Sequence, residues 1–253
     1  MAHLKRYAMP KHIPLPRKTE TFIVRAMPGP HKIAWSMPLQ VLLRDVLKLA
    51  ETAAEARIIL RAGKVLVDKK PRKEPKFPVG LMDVIEIPEL GQQFRIVSGK
   101  RGMELEKITG DESKTKLCRI LGKTVIKGGV QQLNLSDGRN ILAGKKSSYK
   151  AGDSVVIGLP GQEILKHYSF EKGTPAFISA GRNIGTAGII KKAKRKKNML
   201  EKSIVILESG GRDIVTLFDY VFPGDPRAKI SRGVKPASTK SAKKTTKPKG
   251  GKK

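Results

Sequence analysis

The chain has 253 residues, and its 52 lysines and arginines against 22 aspartates and glutamates give a formal net charge of +30. Self-repulsion on this scale is best relieved by a polyanion, so the composition favours a nucleic-acid-binding protein. A single cysteine, Cys118, excludes a disulfide within the chain, four scattered histidines lack metal-ligand spacing, and no apolar run approaches the roughly 20 residues of a membrane span.

Residues 1–36 are rich in proline and basic side chains, which predicts an extended arm. The first residues lack the apolar region of a secretory signal, so we expect a soluble intracellular protein. The arm is either a disordered leader or a segment that orders on a nucleic-acid partner. Under the second interpretation its candidate RNA contacts are Lys5, Arg6, Lys11, His12, Arg17 and Lys18.

A first helix is predicted over SMPLQVLLRDVLKLA, where apolar residues recur at helical spacing from Leu39 to Leu47. We expect Ser36 to cap this helix and Pro38 to occupy its first turn.

A second helix follows, with clear signals at both ends. Thr52 and Glu55 form a T-x-x-E capping box, and Gly63 suits the left-handed position after the last turn. Arg57 and Arg61 lie four residues apart and therefore point the same way. On spacing alone they are either solvated or RNA contacts.

Residues 64–89 predict a strand, a basic turn and a second strand. Two helices and a small sheet would form a compact module over residues 37–90. We take the basic residues after the second helix and in the turn as candidate RNA contacts: Lys64, Lys69, Lys70, Arg72 and Lys73.

This module resembles the helix–helix–strand RNA-binding domain named from a bacterial ribosomal protein, the S-four-type or alpha-L domain. Two positions depart from the pattern, because Ala53 stands where an arginine is usual and Asp68-Lys69 replaces an Asn-Gly turn. The resemblance therefore implies an RNA contact only for Arg57 and its basic neighbours. It rests on Thr52, Ala56, Arg57, Ile58, Ile59, Gly63, Val65, Leu66, Val67, Gly80 and Met82 to Ile85.

Residues 91–170 are predicted to form a β-rich central domain without a catalytic constellation or cofactor site. Asp137-Gly138 between apolar runs indicates a hairpin. A short helix is expected between Lys107 and Arg119, with Asp111 as its cap.

Residues 171–225 predict a small barrel of about five strands. Within it, GRNIGTAGII lacks the Gly-Lys-Ser/Thr of a P-loop and precedes a strand, so neither nucleotide-binding fingerprint fits. The stretch resembles a KOW motif, which occurs in SH3-like barrels, on residues Ile178, Gly181, Arg182, Asn183, Gly185, Gly188 and Ile189. Its candidate RNA contacts are Arg182, Asn183, Lys191, Lys192, Lys194, Arg195, Lys196 and Lys197.

The last 28 residues, 226–253, predict a disordered Lys-rich tail. Removing the eleven basic residues of this tail from the 52 leaves 41 against 22 acidic ones, a charge of +19. The charge of the remaining residues alone therefore still favours a nucleic-acid partner.

The order of these parts resembles small-subunit ribosomal protein four of the eukaryotic and archaeal (e-type) family, with an N-terminus closer to the archaeal form. The fold class expected is α+β multidomain: arm, S-four-type module, β-rich domain, SH3-like barrel and tail. The resemblance implies a single-copy, non-enzymatic constituent of the cytoplasmic small ribosomal subunit. Its partners would be ribosomal RNA and neighbouring ribosomal proteins, without cofactor, metal or membrane. An RNA-modifying enzyme and a free translation or transcription factor remain the alternatives.

Overall fold

The computed structural model describes residues 3–144, 148–194 and 202–225, so Arg195, Lys196, Lys197 and the predicted tail lie outside the described residues. The expected fold class was α+β, and the described residues form a mostly β fold of several sheets with few helices. The helices are α1 (Leu39–Val41), which continues as a π-helical turn over Leu42–Val46, and α2 (Ala53–Arg61). The strands are β1 (Leu4–Lys5), β2 (Phe22–Ile23), β3 (Ser36–Pro38), β4 (Leu66–Val67), β5 (Lys70–Pro71), β6 (Pro78–Gly80), β7 (Val84–Ile87), β8 (Gln92–Gly99), β9 (Gly102–Lys107), β10 (Thr115–Val125), β11 (Gln131–Leu135), β12 (Asn140–Ala143), β13 (Ser154–Gly158), β14 (Ile164–Tyr168), β15 (Pro175–Ile178), β16 (Ala187–Lys194), β17 (Ile204–Ser209), β18 (Arg212–Leu217) and β19 (Val221–Pro223).

The first sheet has five antiparallel strands in the order β5-β4-β7-β8-β9. It crosses the predicted domain boundary at residue 90, since β8 and β9 follow that position and extend the sheet of the predicted module. Helices α1 and α2 contribute to the same core as this sheet. The fully buried members of that core include Leu39, Leu42, Leu43, Leu60, Val65, Ile85 and Ile96.

Helix α2 begins and ends where the local sequence signals predict. Thr52 is its N-cap, and the Thr52 hydroxyl accepts a hydrogen bond from the Glu55 N–H at 3.2 Å. The Glu55 carboxylate in turn accepts from the Glu51 N–H at 3.0 Å. Gly63 has the left-handed φ of +74° that ends the helix. These contacts are all local, which explains why the sequence pattern predicted them correctly.

The predicted cap at Ser36 is wrong. Ser36–Pro38 forms β3, which pairs with β6, and the Ser36 hydroxyl donates to the Ile33 carbonyl at 3.4 Å. Helix α1 begins only at Leu39, whose N–H donates to the Phe77 carbonyl at 3.0 Å. A long-range backbone pairing therefore satisfies the helix start, and a side-chain cap is not needed.

The N-terminal segment folds onto the first sheet. β1 pairs with β2, and Met9, Ile13 and Ile23 are buried in the same core as the two helices. The Met27 N–H also donates to the Lys76 carbonyl at 2.9 Å. The described part of the arm is therefore packed against the module and makes these contacts within the chain.

The central sheet has the order β12-β11-β10-β13-β14, with Cys118 buried in its core. The hairpin at Asp137-Gly138 is confirmed, because these residues join β11 to β12. The helix predicted between Lys107 and Arg119 is wrong. Only a 3₁₀ turn at Glu112–Lys114 forms there, without a cap from Asp111, because β10 begins at Thr115 and pairs with β13 over residues 115–119 and then with β11 from Ile120.

The C-terminal sheet has five antiparallel strands in the order β18-β17-β16-β15-β19. Gly185, in the loop between β15 and β16, has a φ of +78°. A Cβ at this position would lie 2.7 Å from the Gly99 carbonyl carbon and 2.8 Å from the Ser98 carbonyl oxygen. This loop is therefore seated directly on the β8–β9 turn, and only glycine allows that approach.

A buried group of charges, the Lys116 cluster, joins the first sheet to the central sheet. The Lys116 ammonium lies 2.7 Å from Asp68, 2.6 Å from Asp83 and 3.1 Å from Asp137. Arg139 completes the cluster at 2.6 Å from Asp68 and 3.2 Å from Asp137. Every charge in the cluster has a close partner of opposite sign, as burial requires.

Burial and the neighbouring charges shift the pKa values of the cluster members in different directions. Burial alone would lower the pKa of Lys116, but Asp83 and Asp68 outweigh it and raise the pKa well above its usual value. Burial would raise the pKa of Asp137, but Lys116 and Arg139 outweigh it and lower the pKa. For Asp68, burial and repulsion from Asp83 raise the pKa despite the nearby Lys116. Asp137 is therefore the more strongly ionised of these two carboxyls.

Arg119 joins the central sheet to the C-terminal sheet. Its guanidinium donates to the carbonyls of Asp219 at 2.5 Å and Phe218 at 3.1 Å. It also lies over the aromatic rings of Phe218 and Phe222, at 4.9 and 5.8 Å from their centroids. An apolar cluster that includes the Phe222 ring brings together the turn before β7, the central sheet and the C-terminal sheet, through Met82, Leu117, Val156, Phe177 and Phe222.

Candidate nucleic-acid interface

The exposed face of α2 carries two of the predicted contacts. Arg57 and Arg61 are both exposed and lie one helical turn apart, while the residues that precede them, Ala56 and Leu60, are fully buried. Among the described residues, no carboxylate forms a salt bridge with either arginine. The buried face fixes the helix, so the two guanidinium groups are presented together in one direction.

A groove of about 820 Å³, the basic groove, lies beside these arginines. Arg57, Arg61 and Lys73, all predicted contacts, line it together. Two acidic residues, Glu20 and Glu74, also line the groove. Its basic side chains are Arg25, Arg44, Arg57, Arg61, Lys73 and Lys76.

Three of the basic groove residues were missed by sequence reasoning. Arg25 and Lys76 come from the arm and from the loop before β6, which long-range backbone hydrogen bonds bring together. No local pattern reports such a contact. Arg44 lies on the π-helical turn, and its hydrogen bond with Asp45 at 2.9 Å raises its pKa. Helical periodicity could have indicated Arg44, because it lies off the apolar face of the first helix.

Two of the arm candidates are buried. Arg6 is 4% exposed, and its guanidinium donates to the Pro16 carbonyl at 2.8 Å and to Glu20 at 3.0 Å. His12 is 7% exposed, with its ring 3.2 Å from the Ser36 carbonyl, and burial lowers its pKa. Both side chains make contacts within the folded chain and are not part of the proposed interface.

The other arm candidates lie at the surface. Lys5, Lys11 and Lys18 are exposed. Arg17 is half-buried and donates to the Tyr7 carbonyl at 2.8 Å. Three ammonium groups of the arm are therefore available to a partner.

The basic residues around the turn between β4 and β5 differ in whether other side chains of the protein contact them. Lys69 is held by Glu86 at 2.5 Å and by Ser113 at 3.0 Å. Arg72 lies over the Phe77 ring, 4.5 Å from its centroid. Lys64 pairs with Glu89 at 3.0 Å, in an exposed position. Lys70 and Lys73 are exposed.

The C-terminal sheet carries a second set of basic residues, none of which lines the basic groove. Arg182 is exposed and Asn183 is half-buried. Lys191 pairs with Asp213 at 3.0 Å. Lys192 and Lys194 are exposed along β16, where a bulge follows Ile190.

Two other kinds of site were searched for in the described ranges. No group of three His, Cys, Asp or Glu side chains there is placed to hold a metal ion. Nor does this part of the chain contain a helix long and apolar enough to span a membrane.

Three family models match the sequence, and together they follow the predicted order. They are the RS4NT domain over residues 2–34, the S4 domain over residues 37–85 and the ribosomal family S4e over residues 90–164. Small ribosomal subunit protein eS4 from Methanothermobacter thermautotrophicus is 44% identical over 221 residues, which cover 87% of this chain and 90% of that protein. The chain belongs to the ribosomal S4e family.

Other relatives in the S4e family agree. Small ribosomal subunit protein eS4 from Methanocaldococcus jannaschii is 43% identical over 228 residues, covering 87% of this chain and 92% of that protein. The crystal structure of the 30S ribosomal protein S4e from Thermoplasma acidophilum matches with a TM-score of 0.65 and 33% identity, covering 75% of this chain and 94% of that one. The predicted family and the predicted S-four-type module are thus confirmed, and these relatives are archaeal.

Proposed function

We propose that this chain is a structural constituent of the small ribosomal subunit, where it binds small-subunit ribosomal RNA and catalyses no reaction. The observation that carries the proposal is the basic groove, in which six basic side chains from the arm, α1's π-helical extension, α2 and the loop before β6 converge. The S4e family membership and the net charge of +30 support it.

Binding would follow from electrostatics and shape. Lysines and arginines that meet phosphates release condensed counterions, which gives strong, salt-dependent and largely sequence-independent affinity. Specificity would come from the shape of the RNA. The proposed contacts come from the basic groove, from the exposed arm and turn residues and from the C-terminal sheet: Lys5, Lys11, Lys18, Arg25, Arg44, Arg57, Arg61, Lys64, Lys70, Lys73, Lys76, Arg182, Lys192 and Lys194.

The C-terminal sheet would form a second RNA-binding unit. Its five antiparallel strands and the glycine loop before β16 support an SH3-like barrel with a KOW motif. We propose the divisions 1–36, 37–90, 91–170, 171–225 and 226–253, with β8 and β9 completing the sheet of the second part. Within the cytoplasmic ribosome the chain would be present in one copy, beside other ribosomal proteins.

Co-sedimentation tests the proposal. Ribosomal particles from the source organism are separated on a sucrose gradient at low salt and again after a high-salt wash, and the chain is followed by antibody. We expect it with small subunits at low salt and at the top of the gradient after the wash. Recovery only in ribosome-free fractions at low salt would contradict the proposal.

A further inference from the structure

A cavity of about 230 Å³, the junction cavity, lies where the N-terminal segment meets all three sheets. Lys32 and Trp35 line it from the N-terminal segment, Leu121 from the central sheet, and Asp219 and Tyr220 from the turn before β19. It is smaller than the roughly 300–1,000 Å³ of sites for drug-sized ligands, so its size suits one small group.

The walls of the junction cavity are fixed by internal hydrogen bonds. The Ser98 hydroxyl donates to the Ser179 carbonyl at 3.4 Å, and the Ser179 hydroxyl donates to the Tyr220 carbonyl at 2.9 Å. Arg119 holds the carbonyl of Asp219 from the other side. The cavity is therefore preformed, and its hydroxyl groups on Ser98 and Ser179 already have partners.

Four polar groups on its lining have no such partner. Among the described residues, none hydrogen-bonds the Lys32 ammonium, the Trp35 indole N–H, the Asp219 carboxylate or the Tyr220 hydroxyl. Trp35 is 40% exposed, and its ring stacks on His12 at a centroid distance of 5.8 Å and an angle of 18°. The lining residues thus include an aromatic surface, two residues with N–H donors, Lys32 and Trp35, and an exposed carboxylate residue, Asp219.

We propose that the junction cavity binds one unpaired guanine base of RNA. An unstacked base is planar, packs on aromatic side chains and is recognised through hydrogen bonds to its edges. Guanine presents adjacent N–H donors that one carboxylate accepts together, and O6 and N7 acceptors for an ammonium or an indole N–H. Adenine places an acceptor where guanine has a donor, so it would meet Asp219 unfavourably. The choice of RNA as the source of the base rests on the proposed function.

Trp35 allows a direct test, because it is the only tryptophan of the chain. The full chain is titrated with the RNA pentanucleotides UUGUU and UUAUU at one salt concentration, and the fluorescence of Trp35 is recorded. Both RNAs carry the same charge, so the basic surface contributes equally to their binding. We expect UUGUU to quench Trp35 and to bind about 10-fold more tightly than UUAUU.

Asp219→Asn is the variant that tests the assignment, with Asp213→Asn as its matched control on an exposed aspartate outside the cavity. We expect Asp219→Asn to remove the preference for UUGUU and Asp213→Asn to keep it. Equal affinity for both RNAs in the parent chain, or no change in Trp35 fluorescence, would overturn the proposal. Either result is also the one expected if a neighbouring protein, and not RNA, fills the cavity.

Failure here is distinct from failure of the proposed function. If the chain co-sediments with small subunits but UUGUU leaves Trp35 unchanged, only the guanine site is wrong. If UUGUU quenches Trp35 selectively but the chain is absent from small subunits, the guanine site stands and the ribosomal role is wrong.

Discussion

Positive charge has two opposite uses in this chain, which the Lys116 cluster and the α2 arginines represent. Lys116 is 1% exposed, and three carboxylates lie within 3.1 Å of its ammonium. Arg57 and Arg61 are exposed and, within the described residues, form no salt bridge. A buried, paired charge stabilises the fold and leaves nothing for a partner, whereas an exposed, unpaired one contributes little to stability and is available to a polyanion.

The comparison shows that net charge alone does not identify an interface. Arg6 and Lys69 carry a positive charge as Arg57 does, yet they are held by Glu20 and Glu86 within the chain. The charges most available for binding are exposed ones, above all those that form no salt bridge among the described residues, such as Arg57 and Arg61. Substitutions at the two extremes should therefore affect different measurements.

The largest expected effect on stability comes from Lys116→Met. Removing the ammonium leaves Asp68, Asp83 and Asp137 buried with only part of their compensation, so we expect a loss of about 3–5 kcal/mol in the free energy of unfolding. Urea unfolding followed by circular dichroism measures this. Lys114→Met is the control, because its exposed pair with Asp111 should contribute no more than ~1 kcal/mol. A loss of under about 1 kcal/mol for Lys116→Met would contradict the conclusion that the buried, paired charge stabilises the fold.

A second prediction concerns acid stability and Asp137. Its folded pKa is lowered, so its contribution is present above the unfolded pKa of about 3.9 and is lost as the pH falls through the folded value. Asp137→Asn should cost about 1–3 kcal/mol at pH 7. That difference should shrink steadily below about pH 4.

Urea unfolding of the parent chain and of Asp137→Asn across this pH range measures the difference. The exposed Asp213→Asn serves as the control and should change stability by less than about 1 kcal/mol throughout. A cost for Asp137→Asn that stays constant down to about pH 2 would show that the Asp137 charge does not stabilise the fold.

An effect smaller than that of Lys116→Met is expected from Gly185→Ala, which tests whether an uncharged contact also holds the C-terminal sheet. The new Cβ would meet the backbone of the β8–β9 turn in addition to the left-handed φ, so we expect a loss of about 2–3 kcal/mol. Gly173→Ala is matched, since Gly173 has a φ of +90° with nothing within 4 Å, and should cost only about 1 kcal/mol. Equal losses in urea unfolding would mean that the close approach at Gly185 does not matter.

Sequence reasoning was right where the cause is local. The Thr52–Glu55 capping box and the Asp137-Gly138 hairpin depend on residues within a few positions, and both are confirmed. It was wrong where a distant strand decides. Ser36 is a strand residue because of its partner Gly80, and the helix expected before Arg119 is replaced by β10.

The candidate site divides in the same way. The position of Arg57 and Arg61 on the same side of α2 follows from helical spacing, so it could be predicted. Arg25 and Lys76 could not, since they join the basic groove through contacts between segments about fifty residues apart in sequence. The burial of Arg6 also depends on tertiary contacts.

The salt dependence of RNA binding tests most directly whether the unpaired arginines of α2 bind phosphates. Small-subunit ribosomal RNA is titrated with the parent chain, with Arg57→Ala/Arg61→Ala and with the charge-matched control Lys114→Ala/Lys150→Ala, over a range of salt concentrations. Each lost phosphate contact lowers the slope of log affinity against log salt by about 0.9, so we expect a decrease of about 1.8 for the arginine variant, little change for the control and unchanged stability for both. An unchanged slope for the arginine variant, or an equal decrease for the control, would contradict the assignment of α2 as an RNA-binding helix.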